Sequence, residues 1–261
     1  MKMPLVRMSD ENTKKIVQNE IDTISRIIGY YVKSFCAAFE AKEETVVSLI
    51  DELFKNTDVM NYCLLRSIED TNAKCFQTMK TLEDYVAAPG TILNGAFLYV
   101  VIRYFKLKNI FESGTASGFY TSFLLAALIK NGADFNLDTV DLLSLDDVGK
   151  NILFDSPNVH VYKATNSLDF LKAKNDKKEF YDLYCHDSQH TFNHMLKELT
   201  RFKKCEKDLY FCFFDDQRSQ DFWSRCIKMG LFWKEGYQAN LTNEPEQLGG
   251  FLQYKKVSLA A

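Results

Sequence analysis

The chain has 261 residues, 46% of them hydrophobic and 14% aromatic, enough for one large domain with a complete core and a smaller helical appendage. With 32 Lys and Arg against 35 Asp and Glu, its formal net charge of -3 excludes the basic footprint that a phosphate-tracking nucleic-acid binder needs. The seven cysteines (Cys36, Cys63, Cys75, Cys185, Cys205, Cys212, Cys226) are odd in number, include no Cys-x-x-Cys pair, and several stand in apolar runs. A reducing, cytoplasmic setting is therefore expected. The N-terminus shows no charged-then-apolar leader layout, and an apolar stretch such as Gly95 to Ile102 is far shorter than the roughly 20 residues a spanning helix needs. The expectation is a soluble protein with no membrane partner.

From Ser9 to Tyr85 there is almost no Gly or Pro, and Ile16, Ile21, Ile24, Ile27 and Ile28 recur at helical spacing, which predicts several helices. They are expected to pack on the rest of the chain and to offer a surface for homo-oligomer formation. Ala87-Ala88-Pro89-Gly90 is the clearest punctuation in the first half, and it separates a helical N-terminal region, 1–88, from an α/β domain, 89–261. The pattern then predicts a helix over Leu93 to Phe105, a strand at Asn109 to Glu112, a glycine-bearing turn and a helix from Tyr120 to Asn131. Strands follow at Asp138 to Leu142 and Val159 to Tyr162, then a helix near Leu168, a strand at Phe180 to Cys185 and a helix over Asn193 to Phe202. A strand at Leu209 to Phe214, a helix at Phe222 to Met229 and a final pair of strands, Trp233 to Leu241 and Phe251 to Tyr254, complete the series. Strands alternating with helices predict a doubly wound, Rossmann-like α/β fold: a mostly parallel seven-stranded sheet with an antiparallel last strand. Its ligand crevice lies at the C-terminal strand ends.

Glu112-Ser113-Gly114-Thr115-Ala116-Ser117-Gly118 falls between a strand and a helix, where glycines let the backbone approach a ligand and the helix start offers unpaired N–H groups. Glu112 occupies the first glycine position of a dinucleotide fingerprint. It would repel a pyrophosphate and suits a ligand bearing a cationic amino group, which disfavours a nicotinamide-linked dehydrogenase. The Glu-x-Gly-x-x-x-Gly pattern resembles motif I of class I S-adenosylmethionine-dependent methyltransferases, over a region from about Leu93 to Tyr254. That resemblance implies an enzyme that binds S-adenosyl-L-methionine through Glu112, Gly114, Ser117 and Gly118. It also implies an acidic residue for the ribose hydroxyls at the end of the second strand, where Asp141 stands, and adenine contacts in Ala164-Thr165-Asn166-Ser167, at Thr165 and Asn166. Asp138 is expected to be a solvated residue at the start of its strand.

Two later segments bear on the chemistry: Asp187-Ser188-Gln189-His190 after the fourth strand and Asp215-Asp216 after the fifth. Three carboxylates at neighbouring strand ends repel one another unless a cation joins them, and an oxygen-rich set of this kind suits Mg²⁺. A metal there would hold a substrate hydroxyl and lower its pKa, with neutral His190 as general base. His194, one turn further on, is expected to be a partly packed helix residue. The run Asp187 to Leu199, with Asp215-Asp216 downstream, is similar to the cephalosporin hydroxylase-like and macrocin O-methyltransferase-like families. The likeness implies metal ligation by Asp187, Asp215 and Asp216, with Mg²⁺ or Mn²⁺, and catalysis by His190 and Asp187. Cys185-His186 replaces the apolar residue and Asp or Ile that those families usually carry. The expected function is O-methylation of a saccharide or related small metabolite. A metal-independent transferase that uses His190 alone, and a non-catalytic partner protein with this fold, are the alternatives.

Overall fold

The computed structural model describes residues 32–33, 35–36, 39–56, 89–150, 152–202, 204–214 and 251–254. Its elements are helix α1 (Glu43–Phe54), helix α2 (Pro89–Phe105), strand β1 (Asn109–Ser113), helix α3 (Phe119–Asn131), strand β2 (Asn136–Val140) and strand β3 (Val159–Tyr162). They continue with helix α4 (Ser167–Lys177), strand β4 (Tyr181–His186), helix α5 (Phe192–Phe202), strand β5 (Glu206–Phe214) and strand β6 (Phe251–Tyr254). The six strands form one sheet in the order β3-β2-β1-β4-β5-β6. The first five are mutually parallel, and β6 runs antiparallel to β5. The chain winds outward from β1 to β3, returns to β4 on the other side of β1, and so leaves a crevice at the C-terminal ends of β1 and β4 where the winding reverses.

Alternation along the strands feeds two apolar layers. Ile110, Leu137, Leu183, Cys185, Phe211 and Phe213 join the residues of α1, α2 and α3 on one face. Phe111, Tyr184, Cys212 and Phe214 meet Phe170 and Leu171 of α4 and Met195, Leu199 and Phe202 of α5 on the other. Helix α2 is buried at every position from Asn94 to Arg103, as expected of a helix that is apolar all round and covered on both sides. Its Arg103 guanidinium donates to Glu52 of α1 through Nε at 2.9 Å and Nη2 at 3.1 Å, and the Tyr99 hydroxyl donates to the same carboxylate. This pins α1 to the sheet-covering layer.

Several boundaries differ from the sequence reading. Strand β2 is Asn136–Val140, not Asp138 to Leu142, so Asp138 is an interior, fully buried residue and not a solvated strand start. Tyr181 donates to its carboxylate at 2.6 Å and Lys174 of α4 pairs with it at 3.0 Å, because a buried charge must be partnered. Asp141 lies one residue past the strand, in the loop. Strand β4 is displaced by one residue to Tyr181–His186, which brings His186 inside the sheet, and β5 begins earlier, at Glu206. The seventh strand expected at Trp233 to Leu241, the helix at Phe222 to Met229, most of the N-terminal region and its boundary at 88 lie outside the described residues.

Gly95 of α2 faces α3, and a Cβ built there would meet the buried Phe123 ring at 2.6 Å. Gly95→Ala should therefore destabilise the fold by about 1–3 kcal/mol through overpacking, although the same change at an open helix position gains up to about 1 kcal/mol. Denaturant unfolding of the two proteins checks the sign.

Candidate active site

Strand β1 ends in Glu112 and Ser113, whose side chains leave on opposite faces of the sheet. Beyond them the backbone turns sharply: Gly114 has φ 95° and Gly118 φ 98°, both in the left-handed region. A Cβ on Gly114 would lie 1.9 Å from the Asp187 carbonyl oxygen, and one on Gly118 would strike Ile152 at 2.5 Å. The turn is thus pressed against the loop after β4, and the Asp187 N–H donates to the Ser113 carbonyl at 2.8 Å. Gly118 then caps α3 without a side-chain hydrogen bond.

The crevice over these strand ends encloses about 200 Å³, and its lining includes Gly114, Ala116, Asp141, Thr165, Asn166, Asp187 and His194. Asp141 occupies the β2 side. Its two oxygens each accept one backbone N–H at 2.8 Å, from Ala116 and from Leu143. Each keeps a further lone pair for a hydroxyl donor. Leu142 follows at 70% exposure and gives the crevice an apolar lip. Thr165 and Asn166 stand beside it, the Thr165 N–H donating to the Asp141 carbonyl at 2.8 Å. The Asn166 carbonyl oxygen caps α4 by accepting from Leu168 and Asp169, and the Thr165 hydroxyl donates to the Lys163 carbonyl.

The sequence-predicted residues divide. Gly114, Asp141, Thr165, Asn166 and Asp187 come together in the crevice lining. Ser117 and Gly118 belong to the turn but not to that lining, and Glu112 lies beneath the turn. Its carboxyl is fully buried, and one oxygen accepts from the Thr121 and Thr139 hydroxyls at 2.6 Å each. The other has no hydrogen-bond partner among the described residues. His190 is beside Asp187, Nε2 to carboxylate 3.6 Å, and is not in the lining. Asp215 and Asp216 lie outside the described residues, and among the described residues no group of three acidic, His or Cys side chains is arranged to hold a metal ion.

The sequence reading missed Glu198. This α5 carboxylate is fully buried and accepts from Ser113 at 2.7 Å, from His186 Nδ1 at 2.7 Å, and from the Ser167 and Tyr184 hydroxyls, while His194 Nε2 lies 3.0 Å away. Burial opposes its ionisation, but hydrogen bonds from His186, His194 and Ser113 hold its carboxyl well below the usual carboxylate range. The available signal was the i,i+4 spacing of His194 and Glu198 on one helix.

Glu112 behaves in the opposite way. Burial, with a smaller push from Asp141, raises its carboxyl to about 7 against the two threonine hydrogen bonds. A carboxyl raised on folding holds its proton in the native state after the unfolded chain has lost it, so its contribution to stability falls as pH rises from about 4.5 through 7. Glu112→Gln removes that titration. The stability of this variant relative to the parent should rise by roughly 2–3 kcal/mol between pH 5 and pH 8, measured by urea unfolding, whatever the offset at pH 5.

No family model matches the sequence, and no curated protein matches it. Among solved structures, the chain is similar to a Klebsiella pneumoniae protein assigned as an O-methyltransferase, at 15% identity over 77% of this chain and 90% of that one, with a TM-score of 0.51. It also matches the O-methyltransferase from Bacillus cereus in complex with SAH, at 17% identity, over 76% and 90% of the two chains, with a TM-score of 0.49. A third match is the O-methyltransferase TomG from Streptomyces achromogenes, involved in tomaymycin synthesis and solved with SAM, at 16% identity, over 62% and 79%, with a TM-score of 0.49. Identities this low bear on architecture alone, and the first of these likenesses carries the argument. The five-stranded parallel sheet with its flanking helices is a Rossmann-like fold, the architecture this chain shares with that structure.

Proposed function

We propose that the protein is an S-adenosylmethionine-dependent O-methyltransferase. The observation that carries this reading is the placement of Asp141: a carboxylate at the β2 end, in the crevice lining and bonded to the Ala116 N–H of the glycine turn, with an acceptor lone pair left on each oxygen. A ribose presents two adjacent hydroxyl donors, which is the chemistry such a carboxylate satisfies. The exposed leucine lip beside it suits the flat apolar face of a purine, and exposed apolar surface at a crevice rim favours a ligand there. Fold alone supports no function, so the weight rests on these residues.

The cofactor would supply a methyl group on a sulfonium, and the protein's tasks are then to hold an acceptor oxygen in line with it and to remove the hydroxyl proton. The polar wall of Asp187, Ser188, Gln189 and His194 supports a hydroxylated acceptor, a saccharide or related small metabolite. Asp187 is the one described member of the proposed Mg²⁺ or Mn²⁺ set, and its carboxylate stands beside the His190 ring. Among the described residues the donors do not by themselves form a cation site.

Calorimetric titration with S-adenosylhomocysteine should give micromolar binding. Asp141→Ala should weaken it at least tenfold, the loss of about 1.4 kcal/mol or more expected when hydrogen bonds to a carboxylate go. Adding Mg²⁺ or chelator in the same cell tests the cation. An absence of binding by the parent protein would overturn the transferase reading, and equal affinity in the variant would remove the ribose role from Asp141.

A further inference from the structure

We propose that His194, held by the buried carboxylate of Glu198, is the group that takes the acceptor's proton during methyl transfer, an assignment that rests on the transferase reading above. His194 lines the crevice together with Asp141 and Gly114, and its side chain is 17% exposed, partly walled in yet reachable. The sequence pattern pointed instead to His190, one helical turn earlier, which the fold leaves outside the lining and beside Asp187.

The orientation of the imidazole follows from Glu198. That carboxylate stays ionised although buried, because the hydrogen bonds from His186, His194 and Ser113 outweigh burial. An ionised carboxylate only accepts, so the His194 nitrogen facing it, Nε2 at 3.0 Å, carries the ring hydrogen and Nδ1 carries the lone pair. Glu198 itself is immobilised by donors from β1 (Ser113), α4 (Ser167) and β4 (Tyr184 and His186). A nucleophile's base oriented by a third, fixed group is the arrangement that general-base catalysis needs. In the step, the acceptor O–H bond breaks and its proton passes to His194 Nδ1. The oxygen lone pair forms the new O–C bond as the methyl C–S bond breaks, and the electron pair of that bond stays on sulfur. The products are the methyl ether, a neutral thioether and an imidazolium paired with Glu198, which later loses its proton to solvent. The charged and titratable groups around His194 are Glu198 on its own helix, His186 at the end of β4, Asp187 and His190 in the loop between β4 and α5, and Asp141 across the crevice.

The test does not need the acceptor. S-adenosylmethionine and S-adenosylhomocysteine share their amino, carboxylate and nucleoside groups and differ by one methyl and the sulfonium charge. A protonated His194 next to the sulfur repels only the former. The ratio of the two affinities, measured by calorimetry from pH 5.5 to 8.5, should therefore shift roughly tenfold in favour of S-adenosylmethionine toward the alkaline end. The shift should vanish in His194→Gln and persist in a control change at the exposed strand residue His160→Gln. With only four histidines in the chain, ¹⁵N spectra should place the neutral His194 hydrogen on Nε2 and show that preference lost in Glu198→Gln. A flat ratio in the parent, a shift that survives His194→Gln, or one abolished by His190→Gln instead overturns the assignment. Failure of S-adenosylhomocysteine to bind the parent at all strikes the transferase reading itself, so the two failures are told apart.

Discussion

A carboxylate buried in the interior of an α/β protein has lost its hydration and persists as a charge only if donors converge on it from all sides. Glu198 meets that condition by drawing a serine from the end of β1, a serine from the start of α4, a tyrosine and a histidine from β4, and a histidine from its own helix. These elements also share an apolar layer through Phe111, Phe170, Tyr184 and Leu199, and the partnering of Glu198 adds a polar junction where α4 and α5 sit over the sheet ends. The crevice is the space left beside that junction. Four of its lining residues, Ser113, Ser167, Ser188 and His194, are themselves partners of Glu198.

The two acidic residues at the heart of the region illustrate how environment, and not residue type, sets protonation. Glu198 is surrounded by imidazoles and hydroxyls and remains charged. Glu112 has two hydroxyl donors on one oxygen, none among the described residues on the other, and the negative Asp141 nearby, and its carboxyl is raised to about 7. They lie on opposite faces of the sheet because Glu112 faces α3 while its neighbour Ser113 faces α5, the period-two consequence of strand geometry. A Cβ on Gly114 would lie 1.9 Å from the Asp187 carbonyl oxygen, so the absence of a side chain there is what lets the β1 and β4 loops pack together.

Hydrophobic alternation and glycine placement made most of the α/β series legible along the chain. The helices ending at Phe105, Asn131 and Phe202 and the strand at Val159–Tyr162 are where the pattern put them. Strand β2 was shifted because Asp138 reads as a polar start, and only its burial against Tyr181 and Lys174 explains an aspartate in mid-strand. Thr165, Asn166, Asp141 and Gly114 were legible as crevice residues since each follows a strand at its C-terminal end, and a parallel sheet gathers those ends.

The sequence by itself determined the alternation of elements, the glycine turn after β1 and the candidate residues at the strand ends, because those depend on local periodicity and on the backbone freedom of particular residues. Tertiary structure alone decided which polar groups share a surface. Glu112 is drawn under the turn by Thr121 and Thr139, and His194, with Glu198 behind it, lines the crevice while His190 is outside that lining. The physical reason is that a strand or helix fixes the direction of a side chain only relative to its own axis. Which neighbour lies in that direction, and whether it is charged, apolar or open space, depends on how distant elements pack.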